Sequence, residues 1–265
     1  MPAERPAHLP PRMGRSPANR SLERGLEVLR AFRPGSEALG NGELAERTGL
    51  SRATVSRLTQ TLVDAGWLQH DAVRRAYRPA APVLSLAQAV RSGSPWLQAA
   101  GPLMQEVAQA RRINVGLAVA DRDEMVYLES VRYNRRVTLR NVVAGQRVPM
   151  ELTSLGRAWL AAASPERRAA LEALFGERRG AVAWEPLRRE IDAAVHDVQR
   201  QGYCATSWQP EVVALATPLR VPGQPVHVLN MSVTGPAAAA DAAAGLADAL
   251  LALAARIVAK MQVQE

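Results

Sequence analysis

Residues 43–62 read ELAERTGLSRATVSRLTQTL, and their spacing decides the first third of the fold. A short helix from about Gly42 to Arg47 turns Leu44 and Ala45 inward. Thr48-Gly49-Leu50 makes a tight connection, and a second helix runs from Ser51 to about Ala65 with Val55, Leu58 and Leu62 along one face. Two helices cross closely only if the first presents a small residue at the crossing and the turn tolerates an unusual backbone. Ala45 and Gly49, four apart, supply both. The second helix leaves Ser51, Arg52, Ser56, Arg57 and Gln60 on its opposite face, with Thr54 beside them. These are side chains that bond base edges and phosphates. The pattern is that of a helix-turn-helix. An ordinary αα-hairpin with a solvated face is the competing reading, and the spaced constraints, the hairpin that follows and the local charge argue against it.

Working outward, Leu22, Leu26, Leu29 and Phe32 lie at helical spacing, Ser21 is placed as an N-cap, and Pro34-Gly35 ends that element. On the other side Gly66 caps the recognition helix. Trp67–His70 and Arg75–Arg78 then flank Asp71–Arg74 as a β-hairpin. Such a hairpin makes a wing, with Arg74, Arg75 and Arg78 near the DNA backbone or minor groove; a solvated turn is the alternative. Arg20, Ser21 and Tyr77 complete the expected DNA-facing set. Charge agrees: residues 1–92 hold 14 arginines against 8 acidic residues, hence +6, whereas residues 93–265 hold 19 basic against 17 acidic, hence +2. Lys260 is the only lysine, so a single arginine means little without positional support. Residues 1–19, rich in Pro, Arg and Ala, read as a flexible basic tail ahead of a DNA-binding domain over residues 20–80.

A linker helix at about Pro82–Arg91 and a hinge at Ser92–Pro95 follow, so residues 81–95 connect to a second domain over 96–265. There, helices are expected at Trp96–Ala110, Ser154–Ala163, Pro165–Leu174, Leu187–Gln201 and Ala237–Met261. Strands are expected near Val115–Ala120, Met125–Val131, Val137–Arg140, Arg147–Leu152, Val212–Leu219 and Val226–Val233. Strand runs bracketed by helix runs argue an α+β domain with an antiparallel sheet. The chain has 265 residues, 48% of them hydrophobic and 22% charged, enough for a sizeable core. The lone Cys204 excludes an intramolecular disulfide and a cysteine-built zinc site. No apolar run approaches the ~18 residues that span a bilayer, and the first 19 residues lack the apolar centre of a secretory signal. A cytoplasmic protein without membrane partners is expected.

Enzymatic readings find little support. His8, His70, His196 and His227 are scattered, and there is no His-x-x-x-His pair, phosphate-binding glycine loop or nucleophile elbow. His196, near Ile191 and Val195, reads as a structural or surface histidine, and Cys204 as a small core residue. Asp121 and Asp123 read as a turn. No metal, catalytic group or cofactor is expected. An enzyme or metabolite-binding protein with a secondary DNA-binding head remains the alternative. A constitutive architectural binder would not need so long a second domain.

The order Arg20-Ser21-Leu22, Leu26-Glu27-Val28-Leu29, Leu44-Ala45, Gly49-Leu50-Ser51 and Thr54-Val55-Ser56-Arg57-Leu58 resembles the winged helix-turn-helix of the IclR-type (isocitrate lyase regulator) bacterial transcription factors. The resemblance continues through Gly145–Ala161, Gln201-Gly202-Tyr203, Leu215–Pro218 and Met231–Pro236. It implies a GAF-like α+β effector domain that holds a small organic acid or aromatic metabolite over its sheet. It also implies a homodimer or a dimer of dimers on a pseudo-palindromic operator, a repressor rather than an activator, controlling a catabolic or metabolic operon. The matching effector positions are the backbone amides of Ser154 and Leu155, at a helix start suited to a carboxylate, and the hydroxyls of Ser232 and Thr234, two apart on a strand. This chain departs from the family pattern after Gly-Tyr. Thr206, Ser207, Trp208 and Gln209 stand where an acidic pair is common, and Ala214 falls near a position that can be cysteine. Leu155 replaces a small residue, which implies a bulkier, more apolar pocket.

Overall fold

The computed structural model describes residues 18–133, 142–209, 212–234 and 241–263, with the backbone alone for residues 208, 209, 234 and 241–244. Most of the basic tail, the strand expected at Val137–Arg140 and the first turn of the helix expected from Ala237 lie outside the described residues. The chain divides between Ser94 and Pro95 into two compact units.

The first unit carries helices α1 (Arg20–Arg30), α2 (Asn41–Thr48) and α3 (Arg52–Asp64), strands β1 (Leu68–Asp71) and β2 (Ala76–Pro79), and helix α4 (Ala81–Gly93). Its core is Val28, Ala31, Leu39, Leu44, Val55 and Leu68. Two sequence expectations for α1 are corrected. Asn19 caps the helix, its Oδ1 accepting from the N–H groups of Ser21 and Leu22 at 3.1 Å each, so Ser21 falls inside the first turn. The apolar stripe also meets the core only in its second half, where Leu29 and Phe32 pack against it, partly buried. Leu22 and Leu26 are 60% and 54% exposed, while Gly25 and Val28 are buried. Periodicity identifies an apolar stripe but does not say what covers it.

Gly49 takes φ +68° between α2 and α3, the left-handed turn that the sequence required of it. Ser51 starts α3 with its Oγ accepting from the Thr54 N–H at 3.2 Å. The β1–β2 hairpin pairs Leu68 with Pro79 through Asp71 with Ala76. Tyr77 exchanges both backbone bonds with Leu39, at 2.9 and 3.0 Å, which fastens the hairpin to the α1–α2 connection. Helix α4 has no buried residue.

The second unit contains α5 (Pro95–Arg111), β3 (Asn114–Asp121), β4 (Glu124–Val131), β5 (Arg147–Pro149), α6 (Ser154–Ala162), α7 (Pro165–Arg179) and α8 (Ala181–Gln201). It ends with β6 (Cys204–Gln209), β7 (Val212–Leu219), β8 (His227–Thr234) and α9 (Asp241–Gln262). The six strands form one antiparallel sheet in the order β5-β4-β3-β8-β7-β6. Alternation along the central strands sends Leu117, Leu215, Leu229 and Met231 to a core with α5 and α9. Ala118, Ala216 and Val228 go to a second core with α6, α7 and α8.

Several elements differ from the sequence reading, among them helix α7, which runs five residues past Leu174 to Arg179. Strand β6 was not expected, because its polar run of Thr206–Gln209 lacks an apolar alternation; it sits at a sheet edge, where one face and one ladder suffice. Helix α8 begins six residues before Leu187, since Pro186 near its start forfeits a single hydrogen bond without ending the helix. Strand β5 stops at Pro149. The start of α6 is fixed by close backbone contact: a Cβ on Gly156 would lie 2.0 Å from Met150 O. On the other face Trp96, at the start of α5, stacks on His227 of β8 with ring centroids 4.1 Å apart.

Candidate nucleic-acid interface and sensor face

In the first unit, α3 buries Val55 and Thr59, and the Thr59 hydroxyl donates to Val55 O at 3.0 Å instead of facing solvent. The opposite side leaves Arg52, Ser56, Arg57 and Gln60 exposed, as the spacing required. Not all of that side is unengaged. Ser51 is spent on the cap and lies 2.9 Å from the Thr54 hydroxyl, and Gln60 Nε2 donates to Asp64 Oδ1 at 2.8 Å. Arg52, Ser56 and Arg57 therefore carry the exposed polar surface of the helix. Arg20 and Ser21 are exposed on α1. Thr54 and Arg57 border the same groove as Ser21, so the start of α1 and the recognition helix share one surface.

In the hairpin, Arg74 and Arg75 are exposed at the tip, while Tyr77 and Arg78 are half-buried. Asp71 organises the turn. Its Oδ1 accepts from the Arg74 N–H at 3.0 Å and its Oδ2 from Arg78 Nη2 at 3.2 Å, and the Arg74 amide bond, followed by the nearby guanidinium groups, holds its carboxyl below the usual range. Asp71 thereby partly neutralises Arg78 and, with Nε 4.0 Å away, Arg74, while Arg74 and Arg75 both project from the tip. Tyr77 packs on His70, ring centroids 5.0 Å apart. A polar recognition helix set against a small core, with a basic wing beside it, defines a DNA-binding head.

In the second unit, Ser154 and Leu155 open α6 and are 2% and 1% exposed. The Leu155 side chain joins the α6–α8 core, so only its amide faces the helix end. Thr153 caps this helix, its Oγ1 accepting from the Gly156 N–H at 3.3 Å. Cys204 Sγ lies 3.5 Å from Ser154 O, which sets the first turn of α6 over β6. Burial pushes that thiol up to about 12, as suits an inert core residue.

The register brings Asn114, Ser232, Ala214 and Thr206 into one row across β3, β8, β7 and β6, on the α6 side of the sheet. Ser232 and Ala214 thus share a floor. Ser207 does not: its Oγ donates to Val212 O at 2.8 Å across the irregular β6–β7 pairing, and Thr206 takes the position opposite Ala214. Thr234 pairs with Val212 through the backbone, and its side chain lies outside the described residues. Sequence reasoning overlooked Asn114 and Asn230, which the period of two on β3 and β8 would have revealed. Among the described residues no group of three or more His, Cys, Asp or Glu could hold a metal ion, and no helix is long and apolar enough to cross a membrane. His196 is exposed on α8.

Comparisons give this arrangement its family. The IclR helix-turn-helix domain matches residues 21–72, and the bacterial transcriptional regulator IclR C-terminal domain matches residues 88–259. The chain belongs to the IclR family of bacterial transcriptional regulators. It is 38% identical over 186 residues to the HTH-type transcriptional regulator TsaQ1/TsaQ2 of Comamonas testosteroni, covering 69% of this chain and 66% of that protein. An IclR family transcriptional regulator from Brucella abortus superposes with a TM-score of 0.78 at 34% identity, covering 92% of this chain and 91% of that one. An IclR homolog from Microbacterium hydrocarbonoxydans, complexed with 4-hydroxybenzoate, gives 0.68 at 25% identity over 92% and 99%. The chain is a DNA-binding transcriptional regulator, in keeping with the regulator names of its curated relatives, rather than an enzyme.

Proposed function

We propose that this regulator is a ligand-responsive repressor that binds a pseudo-palindromic operator as a homodimer, or a dimer of dimers, in the cytoplasm, and controls a catabolic or metabolic operon. Residues 20–80 form the head, with the basic tail of residues 1–19 before it. Residues 81–95 connect the head to a sensor over residues 96–265. Arg52, Ser56 and Arg57 read bases, with Gln60 when it leaves Asp64. Arg20, Ser21, Ser51, Thr54, Arg74, Arg75, Tyr77 and Arg78 serve the DNA backbone or orient the groups that do.

The effector is a small organic acid or aromatic metabolite. The observation that carries this reading is the polar row Asn114, Ser232 and Thr206 at the border of the apolar α6–α8 core, with the amides of Ser154 and Leu155 opening a helix over that face. The aromatic ligand held by the Microbacterium hydrocarbonoxydans homolog supports the same class. Repression is the simpler sign, because occupancy of a promoter blocks polymerase without any further contact surface.

Self-association is supported by aliphatic side chains that one chain leaves uncovered in the head. Leu84 on α4 is 74% exposed and Val90 60%. Leu22 and Leu26 of α1 and Leu86 of α4 line one open groove of about 580 Å³. A knob and a hole on the same unit suit an isologous pair. The test is a thermal-shift screen of organic acids and aromatics, followed by operator mobility shifts with and without any stabilising compound. The expected result is a compound that raises the melting temperature and releases the operator. Wild type should sediment as a dimer or larger, and the pair Leu22→Glu/Leu86→Glu as a monomer. A screen without hits would overturn the sensor reading, and wild-type monomers the assembly reading.

A further inference from the structure

Asn230 and Tyr127 form a buried polar pair beside Ser232. Asn230 is 6% exposed and lies two residues before Ser232, on the same side of β8. Tyr127 reaches it from β4 across Gly116 of β3. A Cβ on Gly116 would stand 2.4 Å from Asn230 Oδ1 and 2.5 Å from Tyr127 Cε1, so the missing side chain is the slot in which the pair lies. Asn230 Nδ2 donates to the Tyr127 hydroxyl at 3.4 Å, and Asn230 Oδ1 is buried with no hydrogen-bond partner. Among the described residues this is the one hydrogen bond that either side chain makes.

The donors can be counted. The amide carries two N–H hydrogens and the phenol one O–H, and a single bond between them uses one of the three. Exchanging the amide nitrogen and oxygen leaves the count unchanged, because the phenol would then donate to the amide oxygen and both N–H hydrogens would remain. In either orientation two buried hydrogens await an acceptor, a costly state that native cores avoid. Among the described residues no backbone carbonyl accepts from either side chain, whose one bond is the one between them.

The surroundings give the direction. Inward from the pair, Ala118 and Val228 are apolar core, and Ala216 stands directly opposite Asn230. Outward, the next row is Asn114, Ser232 and Ala214. The pair stands where the apolar core gives way to the polar floor. Resting on the reading of that floor as the effector site, we propose that Asn230 and Tyr127 are its specificity-determining donors. They bind a second acceptor oxygen, carbonyl or hydroxyl, of a small carboxylic acid whose carboxylate lies elsewhere on the floor. Burial pushes the Tyr127 hydroxyl up to about 12, so it keeps its proton and remains a donor at any working pH.

The experiment uses the full-length protein and two pairs of probes that differ by one oxygen function: benzoate with 4-hydroxybenzoate, and butyrate with 2-oxobutyrate. Each is titrated calorimetrically into wild type, Tyr127→Phe, Asn230→Leu and Ser232→Ala. In wild type the oxygenated member of one pair should bind about ten times more tightly than its parent, as one good buried hydrogen bond allows. Tyr127→Phe and Asn230→Leu should bring that ratio to about one while the parent acid binds as before. Ser232→Ala should weaken both members alike. Ratios unchanged in Tyr127→Phe and Asn230→Leu, with Ser232→Ala still weakened, would overturn the assignment of the donors alone. Indifference of wild type to all four probes, or of Ser232→Ala to every probe that binds, would overturn the site beneath it. Tyr127→Phe also takes away the one hydrogen-bond partner of Asn230, so a modest loss of unliganded stability is expected, and the affinity ratio decides the assignment.

Discussion

The two units present their polar groups in opposite ways. In the head the candidate residues are exposed, arginine-rich and fixed by short-range bonds, such as Ser51 to Thr54 and Asp71 to Arg74. In the sensor they are buried or half-buried, uncharged and gathered from strands far apart in sequence, as when β3 sets Asn114 beside Ser232. A surface that meets a polyanion needs little beyond charge and correct orientation. A cavity that must tell one small molecule from another needs neutral groups held in a dry place.

The largest expected effect separates these chemistries by salt. If each of two heads neutralises about three phosphates, operator affinity should fall about a thousandfold between 50 and 200 mM salt, with a log–log slope of about −0.9 per phosphate. Probe binding to the sensor should change far less. Fluorescence anisotropy across a salt series measures the first and calorimetry the second; a flat operator response would end the contrast.

Acid should act on the sensor. Burial holds the His227 imidazole down to about 4, so between the usual 6.5 and that value the unfolded chain takes up a proton that the folded chain refuses. Stability is then full above about pH 6.5 and falls as the pH drops toward 4, by about 3 kcal/mol in all. His227→Asn should flatten that slope in urea titrations, whatever it does to stability at neutral pH. An equally steep slope in the variant would move the origin elsewhere.

The smallest effect is the most local. Arg57→Ala should cost roughly 1–3 kcal/mol on the operator if the side chain reads a base, and less on random DNA. Equal losses on both, in competition shifts, would make Arg57 a phosphate anchor and remove base readout from that position.

The same contrast explains what the sequence could tell. Helix-turn-helix spacing is a local property, so Ala45, Gly49 and Val55 announced the head, and Gly49 adopts the turn expected of it. The cap of α1 was misplaced by two residues because Asn19 and Ser21 both suit an N-cap, and only the first N–H groups decide between them. The α+β sheet was legible from alternating strands, but β6 was not, since an edge strand need not alternate. For the sensor face, resemblance supplied Ser154, Leu155, Ser232 and Ala214. Asn230 and Tyr127 escaped because what joins them is the register of β4, β3 and β8 and the slot at Gly116, none of which is written locally.

The two rims of the six-stranded sheet also bear on how the molecule stays dispersed. One rim, β5, is three residues long, and the other, β6, loses its regular ladder between Thr206 and Gln209. A sheet bounded by a stub and a broken ladder gives a stray strand little to extend, which is how open sheets escape polymerising into fibres. Lengthening β5 or straightening β6 would expose a template for uncontrolled growth, whatever the gain in sheet stability. The blunt edges leave association to side chains, where it can be specific, instead of to backbone, where any extended peptide would fit.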